Sequence, residues 1–433
     1  MQIVGDEPYW WSAAGVPTSP EEISLPEEAD IVIIGAGLTG LSAARTLARR
    51  GKHVVVLDAE APGIGASSRN GGMVGGGHRL SIDVMQASFG KDIAHRLLHE
   101  AHLTSTQFAK DLISEEDIDC DFVETGRFRG FWTHSEFEAQ AKGLERLQSI
   151  VPIEAEMISH QRQKDEVATD LYSGGILLPR HGGLNPAKYV AGLLQAAQRA
   201  GALVQGNCPV IGLSKTGANH HVETPRGTII CGAVLAATNG YTPGLLAKEK
   251  SRVFPVPSYI VATEPLGENR MKSLIPNSRM IVESRVRHCY FRPSPDGSRL
   301  VFGGRAAMVN VSPEAAQKQM RKLIVQVFPE LRDVELTHSW RGNTGFSFNF
   351  VPHVGQIDGI WHAMGYSGNG NTMAPYLGHK AALQILGDPD GDTAFTRTGL
   401  PERWWHRGTP WFLPFANVMF KAKDIASNLQ KRI

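Results

Sequence analysis

Cysteine is scarce in this 433-residue chain, and what there is stands apart: Cys120, Cys208, Cys231 and Cys289 show no C-x-x-C spacing. That excludes a zinc knuckle and a disulfide framework, and it predicts free thiols in a reducing compartment. No sign of charge dominates either. With Lys+Arg 44 against Asp+Glu 43 there is no electrostatic footprint for a nucleic acid. No run of about 18 apolar residues occurs. The chain opens with Asp6, Glu7, Tyr9, Trp10 and Trp11 rather than a basic segment and an apolar stretch, so neither a membrane-spanning helix nor a secretory leader is expected. The expectation is a cytoplasmic protein. Low-complexity tracts are missing too, and the length suits two domains.

Glycine, by contrast, is abundant. The 46 glycines exceed the roughly 7% of an average chain, and they cluster near Gly35, Gly71, Gly182 and Gly368, which suggests loops that bring backbone close to a ligand. The first cluster lies in DIVIIGAGLTGLSAARTLARRGKHVVVLD, Asp30 to Asp58. Ile31, Val32, Ile33 and Ile34 read as a strand buried on both faces, an Ala- and Leu-rich helix follows, Gly51 stops it, and His53 to Leu57 repeats the buried-strand pattern. Gly35, Gly37 and Gly40 form G-x-G-x-x-G, in which the first glycine permits the turn, the second lets a pyrophosphate approach, and the third lets helix and strand pack. The helix N-terminus faces that anion, and Asp58 stands where an acid accepts hydrogen bonds from an adenosine ribose. The motif says dinucleotide without distinguishing FAD from NAD(P).

Next comes APGIGASSRNGGMVGGGHRL, too glycine-dense for a helix. Its Ser67, Ser68, Arg69 and Asn70 offer hydroxyl, guanidinium and amide groups suited to phosphates and a polar ring edge; an exposed flexible loop is the alternative. Residues 90 to 116 show helical spacing, as do Phe137, Ala141, Leu144 and Leu147. His95, His99 and His102 lie there, read as surface residues rather than metal ligands, and no metal is expected. Asn185 caps and Pro186 opens a helix ending at Gly201. Hairpins are expected around Pro225-Arg226-Gly227 and around Ser294-Pro295-Asp296-Gly297, and Ser312-Pro313 starts another helix. Trp361 to Leu386 reads as strand, GYSGNGNTMAP turn, helix. The Tyr9-Trp10-Trp11 cluster reads as an arm pinned to the body.

Taken together, the glycine motif, ASSRNGG, GGLNPAKYVAGLLQAAQRAG, AATNGYTP, YFRPSPDGSRLVFGG and GYSGNGNTMAPYLG occur in the same order as in FAD-dependent amine and amino-acid oxidoreductases of the D-amino-acid oxidase type. The chain resembles the γ-glutamylputrescine oxidoreductase branch most. The resemblance implies an α/β, two-domain FAD-binding Rossmann-type fold with a second domain on a mixed or antiparallel sheet, like glutathione reductase and p-hydroxybenzoate hydroxylase. The expected division is an arm (1–29), an FAD domain (30–89, 155–245, 340–390), a substrate domain (90–154, 246–339) and an aromatic tail (391–433). It implies that Gly35, Gly37, Leu38, Thr39, Gly40, Asp58 and Ala59 hold the ADP half. Ser67, Ser68, Arg69, Asn70, Gly71, Gly72 and Met73 would line the pyrophosphate and isoalloxazine, Val210 would flank the adenine, and Ala237, Thr238 and Asn239 would close over the phosphates. Gly365, Tyr366, Ser367, Gly368, Asn369, Gly370, Asn371 and Thr372 would offer backbone N–H groups to the reduced ring.

Three departures from the sarcosine oxidase branch refine this. Trp340-Arg341-Gly342-Asn343 carries no cysteine, so the FAD should be non-covalent. Thr372 stands where a lysine would grip the substrate carboxylate, and Arg287 and His288 where a lysine would activate oxygen, which leaves oxidase and dehydrogenase open. Flavin amine oxidation needs no acid/base triad, only the C–N carbon held against the ring and a neutral amine, favoured by an apolar lining. The expected lining is Tyr259, His288, Tyr290, Arg292, Phe346, Phe348 and Tyr366. Tyr290 and Arg292, two apart on a strand and so on one face, would hold a distal carboxylate; a surface ion pair is the alternative for Arg292. Expected partners are a small amine or amino acid and O2 or another acceptor. A rival reading is a quinone-linked dehydrogenase resting on a membrane through the tail, where Trp411, Phe412, Phe415, Met419 and Phe420 adjoin Lys421 and Lys423.

Overall fold

The computed structural model describes residues 6–285, 288–304 and 307–430; Arg287 and the side chains of Lys421 and Lys423 lie outside the described residues. The first sheet carries the strand order His353–Ile357, Ile360–Met364, Gly227–Ala236, Glu28–Ile34, Val54–Leu57, Leu203–Gln205, with the hairpin of Gly212–Thr216 and Asn219–Thr224 alongside. Its centre is parallel, Ile31 opposite Val54 and Ile34 opposite Leu57. Val32, Ile33 and Val54 through Leu57 are buried, as continuous β-branched runs require when both faces are covered. Helix Leu38–Arg49 covers one face and packs against helix Gly370–Ile385, where Ser42 Oγ donates to Pro375 O.

The second sheet runs Leu336–Ser347, Val253–Thr263, Leu300–Gly304, Cys289–Pro293, Met280–Glu283, Arg127–Gly130, Gly175–Leu178, Glu156–Ile158. All its pairings are antiparallel except the parallel one between Met280–Glu283 and Arg127–Gly130, so the sheet is mixed. One face buries Phe291 stacked on Phe302 at 5.1 Å beneath helix Pro313–Val327, whose Met320, Leu323, Ile324 and Val327 point inward. The opposite face looks toward the first sheet. Both expected hairpins form, and the caps behave as their residue types dictate: Asn185 Oδ1 accepts from Ala187 N–H and Ser312 Oγ from Ala315 N–H.

Strands Glu156–Ile158, Gly175–Leu178 and Leu336–Ser347 pair in the second sheet. Helices Lys91–His99 and Ser105–Glu115 bury Leu97, Leu98 and Leu112 with Leu41 and Leu377 of the first core. On pairing and packing we therefore propose a division in which the FAD unit takes in residues 91–115 and resumes only beyond Leu178 and Ser347. Between those two helices the spacing slips into a π-turn, Glu100–Thr104. There the buried Glu100 carboxylate accepts from Tyr376 Oη and Ala394 N–H, and the extra residue aims it inward.

The two aromatic termini part company. Trp10 is fully buried and its Nε1 donates to Asn70 O, while Trp11 Nε1 donates to Ser68 Oγ, so the arm is pinned to the glycine-dense loop. In the tail Phe412 packs on Phe254 and Leu413 is buried, yet Trp404 is 89% exposed and Phe415 70%.

Candidate active site

A cavity of about 650 Å³ runs between the two sheets. At one end the G-x-G-x-x-G turn does what glycine alone permits. Gly35 has φ +106° with the Ala237 carbonyl 3.0 Å from where a Cβ would stand, and a Cβ on Gly40 would lie 2.0 Å from Gly35 O. Gly40 thus serves helix–strand packing and does not line the cavity. Asp58 Oδ2 accepts from Ala36 N–H at 2.7 Å, and burial raises its carboxyl pKa. Gly35, Gly37, Leu38, Thr39 and Ala59 line this end, with Val210, Ala237, Thr238 and Asn239 opposite.

The ASSRNGG loop reaches the cavity through Ser67, Arg69, Asn70, Gly71 and Met73, but most of its polar side chains are occupied. Ser67 Oγ accepts from Leu38 N–H. Arg69 Nε donates to Ile64 O and its Nη1 to Asp6 O, with the guanidinium over Trp11. Asn70 donates to Ala66 O and Ser67 O and accepts from Gly72 N–H and Asn371 Nδ2. These groups fold the loop, and its backbone is what they leave for a ligand. Ser68, sealed under Trp11, and Gly72, where a Cβ would meet Leu184 O at 2.2 Å, lie behind the wall.

The GYSGNG turn divides in the same way. Gly365 N–H donates to Asn239 Oδ1 and Ser367 N–H to Gly345 O, so those two shape the turn and stand outside the wall, contrary to the expected donor role. Gly368, Asn369, Gly370, Asn371 and Thr372 line the cavity. The N–H groups of Gly370, Asn371 and Thr372 have no intrahelical acceptor, being the first turn of helix Gly370–Ile385, and the Asn369 cap side chain donates elsewhere, to Gly77 O. Thr372 Oγ1 and Asn371 Oδ1 are buried without a partner among the described residues. Orphaned buried polar atoms beside a helix N-terminus suit the electron-rich edge of a flavin, and the glycine cradle suits its diphosphate, so the residues present fit FAD.

Over the second sheet lie Phe346, Tyr290 and His288, as expected. The Tyr290 ring sits between the loop and the sheet, where Cβ atoms on Gly71 or Gly303 would come within 2.7 and 2.2 Å of it, and its hydroxyl pairs with Ser258 Oγ at 2.9 Å. Tyr366 lines the cavity with its ring; its hydroxyl pairs with Thr39 Oγ1 and Ala363 O, and burial drives its pKa up. Three expected lining residues are not there. Tyr259 points through the sheet, donating to Val309 O, because strand alternation gives the cavity face to Ser258 and Ile260. Phe348 packs on Phe254 and Trp405. Arg292 does share a face with Tyr290, but its Nη1 donates to Gly72 O and Leu184 O and its Nε to Pro293 O, behind the loop. It is a strut, not a carboxylate ligand.

His102, expected at the surface, is buried, its Nε2 2.8 Å from His78 Nδ1, and His353 pairs with His362 in the first sheet, away from the cavity. Among the described residues no group of His, Cys, Asp or Glu is placed to hold a metal ion. None of the four cysteines lines the cavity. Residues that the motifs did not single out complete the wall, notably Arg79, with Nε on Ser367 O, and Arg127. The signal for Arg127 was available: in R-F-R-G the arginines alternate with a core phenylalanine.

A two-sheet body with a dinucleotide turn, a backbone-lined ring site and an aromatic floor defines a flavin-dependent oxidoreductase. The model of the FAD dependent oxidoreductase (DAO) family matches residues 30–383, and the chain belongs to that family. It is 32% identical over 390 residues to the probable oxidoreductase OrdL of Rhizobium meliloti strain 1021, covering 88% of each chain. To the gamma-glutamylputrescine oxidoreductase of Escherichia coli strain K12 it is 29% identical over 390 residues, covering 89% of this chain and 90% of that one. The fold matches the crystal structure of glycine oxidase from Geobacillus kaustophilus with TM-score 0.70 at 21% identity, over 87% of this chain and all of that one. The protein is thus an FAD-dependent enzyme acting on amines or amino acids.

Proposed function

We propose that the enzyme oxidises the C–N bond of an amine or amino-acid derivative, either a γ-glutamylputrescine-like amine, a secondary amine or an N-alkyl amino acid, with O2 as electron acceptor and H2O2 as product. The observation that carries this reading is the continuity of one cavity from the glycine cradle, past the free N–H groups of Gly370 to Thr372, to the aromatic floor of Tyr290 and Phe346. Bound FAD supplies the hydride acceptor. The chain's own residues do the rest. Gly370, Asn371 and Thr372 place donors and a helix dipole where negative charge collects, and rings of Phe346, Tyr290 and Tyr366 exclude water and disfavour an ammonium ion, so the amine enters neutral. Ser258 fixes the Tyr290 ring.

A second reading, electron delivery to a quinone at a membrane surface, is favoured by the exposed Trp404, Trp411, Phe415, Val418 and Met419. No described helix is long and apolar enough to cross a membrane. Anaerobic mixing with polyamine derivatives, N-methyl amino acids and D-amino acids, read as loss of flavin absorbance, followed by admission of O2 with peroxide detection, tests both. Bleaching followed by stoichiometric peroxide is expected. Bleaching without reoxidation in air selects the quinone reading, and no bleaching with any amine overturns the proposal.

A further inference from the structure

The end of the cavity opposite the glycine cradle holds a cation to which none of the described residues supplies an anion. Strand Arg127–Gly130 sends Phe128 into the core of the second sheet and Arg127 to the cavity. Among the described residues Arg127's guanidinium donates to none, its Nε is sealed from solvent without a partner, and the charge that acts on it most is another cation, Arg129. Burial, and then Arg129, lowers its pKa to about 10, which leaves it protonated at neutral pH.

Its other neighbours are imidazoles. His102 and His181 both feel its charge, and each keeps a buried Nδ1 without a partner; His78 pairs with His102. Burial lowers His78 to about 4 and His102 to about 3, so none of the three supplies charge of either sign at pH 7. Arg127 is half-buried, and a sealed Nε without an acceptor is costly to maintain. Here it faces open space rather than a carboxylate, which is what a ligand's anion would fill.

Position separates this anion from the cofactor's phosphates. The phosphate cradle belongs to the first sheet, whereas Arg127 stands on the second, two strands beyond the strand of Tyr290. At about 4.8 Å per strand that places it roughly 10 Å past the aromatic floor. Arg292 cannot share the task, being bound to three carbonyls.

We propose that Arg127 anchors a substrate carboxylate remote from the oxidised C–N bond, so that the enzyme takes elongated amino acids whose anion and reacting nitrogen are several bonds apart, in preference to diamines or small α-amino acids. The inference rests on the amine-oxidation reading above and gives it a substrate class.

The test compares N-methyl-5-aminopentanoate, N-methylpentylamine and N-methylglycine as substrates of the FAD-loaded enzyme, and measures pentanoate binding by calorimetry in the wild type, R127K and R127M. The five-carbon acid should exceed both other amines in kcat/KM by roughly tenfold or more, and R127M should weaken pentanoate by roughly tenfold to a hundredfold. R127K, which keeps the charge but loses the fork, should weaken it less. Equal kcat/KM for acid and amine overturns the proposal, as does unchanged pentanoate affinity in R127M or, should R127M not retain flavin, in R127K. Failure of every amine to reduce the flavin would sink the amine-oxidation reading alone, because pentanoate binding still reports on Arg127.

Discussion

At the Gly35–Asp58 end of the cavity nearly every feature is backbone, a positive φ, a carbonyl at contact distance or an N–H held by one carboxylate. At the Tyr290–Arg127 end the features are side chains delivered by strands that are far apart in sequence and joined in one sheet. Backbone geometry tolerates almost no substitution and binds what all members of a cofactor class share. A side-chain floor can change one residue at a time and so is where substrate choice resides. The two ends should therefore fail differently.

The largest failure is expected at the backbone end. In Gly40→Val the new Cβ would start 2.0 Å from the Gly35 carbonyl, so helix Leu38–Arg49 must leave the strand that feeds it. The purified variant should carry no flavin absorbance. Normal flavin content would show that this turn is less constrained than its contacts imply. Next comes Arg292→Met, which removes a donor from the Leu184 and Pro293 carbonyls and one of the two on the Gly72 carbonyl, which keeps Leu184 N–H. A destabilisation of about 3 kcal/mol, read from urea unfolding, follows from orphaning buried acceptors. If stability held and KM for a carboxylated amine rose instead, Arg292 would return to the substrate site.

That contrast also explains what could be read from the letters. The glycine turn, Asp58 and the caps at Asn185 and Ser312 are local, because spacing within a dozen residues decides them, and they stand where expected. Alternation correctly put Tyr290 and Arg292 on one face, but it could not show that the chain returns at Gly72 to cover the arginine. For Tyr259, choosing between it and Ser258 needed the phase of the strand relative to a cavity formed by another sheet. Spacing could not show that the donors of Arg69 and Asn70 turn back on the loop's own Ile64, Ala66 and Ser67 carbonyls, or that Asp6 O and Asn371 Nδ2 arrive from far along the chain to complete their pairing. Polar residues beside glycines signal a loop with a job. Whether they serve the ligand or the loop is a tertiary fact.

A pH effect separates the ends further. His78 and His102 are held below their ordinary 6.5, at about 4 and about 3, by burial. Below pH 6.5 the unfolded chain therefore binds protons that the native chain refuses, and stability should fall as pH drops from about 6.5 toward 4, with little change from pH 7 to 8. Urea midpoints across that range should show a slope that shrinks in His102→Gln, whose amide can replace Nε2 toward His78. A slope unaltered by the substitution would assign the acid sensitivity to other groups.

The smallest effect has the most informative sign. Among the described residues Thr372 is the hydroxyl at the backbone-lined ring site without a partner, 1% exposed and with Oγ1 sealed. Without cofactor, Thr372→Val exchanges an unsatisfied buried hydroxyl for a methyl of the same shape, so the apoprotein should be as stable or slightly more so. With cofactor, the variant loses a hydrogen bond to the ring edge and should bind FAD a few-fold more weakly, about 1 kcal/mol. Paired melting curves with and without added FAD read both signs in one experiment. A residue serving only the fold would lower both curves. A residue held in reserve for a ligand lowers only the loaded one, because its energetic deficit in the apoprotein is removed together with its partner in the complex.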